Sequence, residues 1–134
     1  AMHFVSVVSE ADLNDIEAAH RDIVVRATKG AISDDLLTEA TSIDWGLHDF
    51  MIDTLGNDLI SQTYRINSLR VRLIHLERST LSAEVLLPAM HEHLDLIAAL
   101  KQRDANAVAE KLRYHIHCAH QRVLGQDKRE LSKF

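Results

Sequence analysis

The chain has 134 residues, 46 % hydrophobic and 26 % charged, with 15 basic residues against 20 acidic ones and a net charge of −5. That length holds about one domain, and the balance of apolar and charged residues excludes disordered and fibrous classes. The acidic balance, with no dense basic cluster, argues against a nucleic-acid surface on this chain itself.

One Pro, four Gly and 4 % aromatics leave few places to turn strands and few runs to build them, so an all-α fold is expected. No apolar stretch approaches the ~18 residues of a membrane span, and no leader with a cleavage site opens the chain. A soluble, cytoplasmic protein without membrane contact is expected. The lone Cys118 can form no internal disulfide, in keeping with a reducing compartment.

Ala1-Met2 reads as a remnant of a tag and is set aside. Residues 3–8 form an N-terminal extension that reads either as a strand fragment or as the remnant of a preceding helix. Ser9 opens the first long helix, whose Leu13, Ile16, His20, Ile23, Val24 and Ala27 recur at helical steps until Lys29-Gly30. Ser33 with Asp34-Asp35 caps a second, running through Leu36, Ala40, Ile43 and Leu47 to Leu55 before Gly56-Asn57. Asp58 restarts a third toward Arg78, and Ser79 to Ser82 is a short connection. Glu84–Gln102 is the fourth, with Pro88 bending its start, and Asp104 caps a fifth from Ala105 to about Leu124. An antiparallel bundle of about five to six helices over residues 9–134, without internal repeat or linker, is the expected architecture.

Nine histidines are the compositional oddity. At ~100° per residue, His93 sits at the centre of an arc with Leu86, Met90, Leu96, Ile97 and Leu100, and His115 shares one with Val108, Leu112 and Cys118. The turn near residue 104 lies roughly eleven residues from each, so both stand ~16 Å along two antiparallel helices, at the same height. Asp44 and His48, four residues apart on the second helix, project together. Three imidazoles and a carboxylate make a conventional divalent-metal set, while the same pattern also fits hydrogen-bonded core histidines. His20 reads as core or pocket lining. Arg70 falls near the apolar arc of the third helix, where it would either grip a carboxylate effector or serve as a snorkelling or ion-paired side chain.

The run Asp44-Trp-Gly-Leu-His48, then Leu55-Gly-Asn57, then Glu92-His93-Leu-Asp-Leu-Ile97 with Ala99-Leu100 and Asp104, then Ala109 to His115, resembles the FCD ligand-binding domain of GntR-type bacterial transcription regulators. The resemblance covers roughly residues 10–125. It implies that Asp44, His48, His93 and His115 bind a divalent metal, with zinc, nickel, manganese and iron all compatible. It also implies a small organic acid as effector and a homodimer whose geometry the effector changes. DNA would be bound only through a winged helix-turn-helix domain, which residues 1–8 are too short to supply. A sensor of this kind needs no turnover. The alternative is a small metalloenzyme using the same three-His, one-Asp site, disfavoured because no inward carboxylate besides Asp44 is apparent to act as general base.

Overall fold

A computed structural model describes residues 2–74 and 81–131, and all the regular structure among them is helical. Six helices follow in order: α1 (Met2–Val7), α2 (Glu10–Lys29), α3 (Asp34–Asp53), α4 (Asp58–Ile74), α5 (Ala83–Lys101) and α6 (Ala105–Leu131). Side chains close several of their first turns. Ser9 accepts from the Asp12 amide at 3.0 Å and Ser33 from the Leu36 amide at 3.1 Å, so two of the orphan donors at these helix ends are satisfied locally. Asp104 does the same for α6, accepting from Ala107 at 3.0 Å. α4 starts at the expected Asp58 and is capped by Asn57, whose Oδ1 is 3.2 Å from the Ile60 amide.

Two expectations change here. Residues 2–7 are a helix, which removes the strand alternative, and Phe4, Val5 and Val8 are buried in the bundle core. The guanidinium of Arg103, a residue with φ 57° in the α5–α6 turn, donates to the Val5 and Val8 carbonyls at 2.9 and 2.7 Å, closing the end of α1. The last helix continues to Leu131. Pro88 lies inside α5 on its exposed side. The expected helix end at Arg78 and the start of the following connection lie outside the described residues.

α5 packs against both α2 and α6, with α3 beside α2 and α5, and α4 against α3. The core falls into two apolar clusters. One gathers Phe4, Leu13, Leu47, Leu96, Leu100 and Val108, and the other Ile23, Leu36, Ala40, Leu86 and Met90. Along α2, α3 and α5 in turn, a polar residue falls between members of the two: His20 between Leu13 and Ile23, Asp44 between Ala40 and Leu47, His93 between Met90 and Leu96. Each buried leucine contributes about 1.5–3 kcal/mol, and the clusters above and below hold the polar layer in place.

α4 is oriented against its own pattern. Its half-buried residues are Tyr64, Ser68 and Arg72, with Ser61 buried, while Leu59, Ile66, Leu69 and Leu73 are 53–73 % exposed. A polar stripe faces α3 and the apolar stripe faces water.

Candidate metal centre

Helical spacing brings Asp44 and His48 to the same side of α3, one turn apart, and the α5–α6 hairpin sets His93 opposite His115. The His93 and His115 Nε2 atoms lie 3.1 Å apart, His115 Nε2 is 3.3 Å from His48 Nε2, and His93 Nε2 is 3.4 Å from Asp44 Oδ1. One donor atom from each of the four residues falls within 4.8 Å of every other. With bonds near 2.0–2.1 Å, the edge between two ligands of a divalent ion is about 3.3 Å in tetrahedral and about 2.9 Å in octahedral geometry. The three separations of 3.1, 3.3 and 3.4 Å match such edges. These residues therefore fit a divalent metal.

The electrostatics suit the same role. His93 is 0 % exposed and His115 5 %. Burial lowers His48 to about 4 and lowers His93 further, with the neighbouring histidines adding to both, so these imidazoles are neutral at pH 7 and able to ligate. Burial raises Asp44 to about 6; the His115 and Arg122 charges oppose that rise and Glu92 adds to it. Asp44 is thus still ionised at neutral pH, and a partly buried anion is costly without a cation to meet it.

Glu92 completes the surroundings of His115. Its Oε2 accepts from His115 Nδ1 at 2.7 Å, and its two oxygens pair with the Arg122 guanidinium. A proton on His115 Nδ1 leaves Nε2 bare, facing the other donors. The sequence reading found no inward carboxylate besides Asp44, and Glu92, with 10 % of its side chain exposed, corrects that. Its position beside His93 in the chain is a weak signal, because neighbours on a helix point ~100° apart and only the approach of α6 turns Glu92 inward. Arg122 lay beyond any motif and was missed for the same reason.

Arg70 is not where the pattern suggested. It is exposed on α4, because the apolar arc next to it faces solvent instead of the bundle. Of its neighbours, Arg65 pairs with Asp53 at 2.7 Å, and Arg72 lies 4.4 Å over the Trp45 ring in a groove between α3 and α4. His20, by contrast, is drawn into the cluster's surroundings, with Nε2 3.0 Å from His93 Nδ1.

The family model for the FCD domain matches residues 2–117. The chain belongs to the FCD domain family. FCD domains form the C-terminal, ligand-sensing part of GntR-family regulators, and the match takes in α1 and all four donor residues. Neither the curated proteins nor the solved structures contain a significant match. No helix among the described residues is long and apolar enough to cross a membrane.

Proposed function

We propose that this domain senses a small organic acid through a divalent metal held by Asp44, His48, His93 and His115, and passes the binding event to a separate winged helix-turn-helix domain that contacts DNA in the cytoplasm. The convergence of four donor atoms within 4.8 Å, two of them on buried and two on half-buried residues, carries the reading. A bound divalent ion would supply Lewis-acid positions suited to a carboxylate or hydroxycarboxylate. The chain's own part is to keep His48 and His93 neutral, to orient all three imidazoles, to hold Asp44 as the anionic donor, and to line the site with the apolar clusters on either side. Arg122, tied through Glu92 to His115, is a cation connected to the site, and Arg70 has no role in this reading.

The same groups support sensing without turnover. Glu92 is engaged by His115 Nδ1–H and by Arg122, so its oxygens are not free to take a proton from water. Pairing of two copies belongs to this reading as well. The exposed row Leu59, Ile66, Leu69 and Leu73 on α4 supports it, since apolar rows of that size usually mark a contact.

The test is metal content of protein purified without chelator or immobilised nickel, beside His93→Ala and His115→Ala. About one ion per chain, lost in both variants, is expected. Carboxylic acids are then titrated by thermal shift, with NMR of the supernatant to show the acid unconsumed and light scattering to show twice the chain's mass. Metal-free native protein would remove the site; consumption of the acid would favour the metalloenzyme.

A further inference from the structure

His20 lies outside the donor set, yet it is as enclosed as His93, at 1 % and 0 % exposure. Its Nδ1 stands 2.8 Å from the Ile16 carbonyl oxygen, one turn back on α2, and its Nε2 stands 3.0 Å from His93 Nδ1. A carbonyl oxygen can only accept, so the contact with Ile16 requires the proton on His20 Nδ1. The oxygen has two lone pairs and can serve a helical N–H and the ring together. In a neutral imidazole the other nitrogen, Nε2, is then bare. Only a proton on His93 Nδ1 can fill the contact between the rings, and His93 in turn is left with a bare Nε2. That atom is the one 3.1 Å from His115 Nε2 and 3.4 Å from Asp44 Oδ1. Burial lowers the proton affinity of both rings, in keeping with the neutral form that this chain of bonds needs.

We propose that His20 is a positioning residue for the metal centre: the Ile16 carbonyl, His20 and His93 form a directed chain of hydrogen bonds that fixes the His93 tautomer and aims its Nε2 lone pair at a divalent cation. The proposal rests on reading Asp44, His48, His93 and His115 as metal ligands and adds a residue that touches none of the ion's positions. It gives the two hairpin histidines different supports. His115 leans on the carboxylate of Glu92, while His93 leans on a neutral ring that orients it without adding negative charge. Without the His20 acceptor, His93 could carry its proton on Nε2 and present an N–H, not a lone pair, to the ion.

His20→Phe keeps a ring of similar size and removes the acceptor, whereas His20→Gln keeps an oxygen able to accept near the place of Nε2. Zinc affinity is measured by competition with a chromophoric chelator, and ring protonation by long-range 1H–15N NMR, in metal-free and zinc-loaded protein. Protons on Nδ1 of both His20 and His93 are expected in the wild type. Zinc affinity should fall by about 10–100-fold in His20→Phe and return to within about a few-fold in His20→Gln. A proton on His20 Nε2 overturns the proposal, as does undiminished affinity in His20→Phe. Equal loss in the Phe and Gln variants, with native circular dichroism, also overturns it, because packing alone would then explain the effect. His93→Ala separates the two levels: full zinc affinity there sinks the metal reading itself, whereas loss there beside none in His20→Phe removes only the role of His20. Should His20→Phe not fold, the wild-type ring protonation and the Gln variant decide.

Discussion

Burial raises the Asp44 carboxyl to about 6 and lowers His48 to about 4, and the two shifts act on stability in opposite directions. Asp44, with a folded value above its ordinary 3.8, contributes stability that is present below 3.8 and lost as pH rises through about 6. His48, ordinarily 6.5, contributes stability that is present above 6.5 and lost as pH falls toward about 4. His20 and His93, lowered chiefly by burial, act in the same sense as His48. Three histidines outweigh one carboxylate, so the metal-free protein should lose stability between pH 7 and pH 5, read as a falling urea midpoint. His48→Gln should make that fall shallower. A midpoint that holds or rises toward pH 5 would mean the rings take up protons inside the folded layer. The four donors are legible in the sequence because helical period and hairpin height are local arithmetic. His20, Glu92 and Arg122 are not, because each acquires its role from a neighbouring helix whose rotation no single segment specifies.

At the scale of the element, two serines separate sequence signal from realised bond. Ser33 and Ser82 both precede helices with extended backbone, ψ 161° and 159°, yet only Ser33 accepts a hydrogen bond from its helix. Ser33→Ala should therefore cost about 1 kcal/mol, seen as a Tm lower by a few degrees, and Ser82→Ala should leave denaturation nearly unchanged. Equal losses would show that the cap at α3 contributes nothing beyond the serine's backbone preference. Helix existence and most starts are readable from such caps and from apolar spacing, which is why the expected second and fourth helices lie within about a residue or two of α3 and α5. α4 shows the limit. Its apolar stripe is plain in the sequence, but a stripe states only that some surface must cover it, and here α3 meets the opposite, polar side. The expectation for Arg70 failed through that inversion and not through a misjudged angle.

Across the whole molecule, the polar layer joins helices that the apolar core holds unequally. α5 packs extensively on α2 and α6, and it carries His93 while α6 carries His115; α3, with Asp44 and His48, is bound less extensively to its neighbours. A divalent ion at the four donors would therefore cross-link α3 to a hairpin that is already firm. Since among the described residues α4 packs chiefly on α3, a change at the ion would reach the exposed apolar row on α4 chiefly by way of that helix. An all-α bundle with matched histidines could be read from sequence, whereas this asymmetry could not, because it depends on the sum of tertiary contacts. It has a measurable consequence. Removing the metal with a chelator should raise amide exchange in residues 34–53 well above any change in residues 83–101, and zinc should restore protection. A saturating ion at 100 times its dissociation constant would stabilise by about 2.7 kcal/mol, enough to slow exchange about 100-fold where opening breaks the site. Uniform changes across α3 and α5 would place the ion's effect on global unfolding and remove α3 as the element that carries the signal.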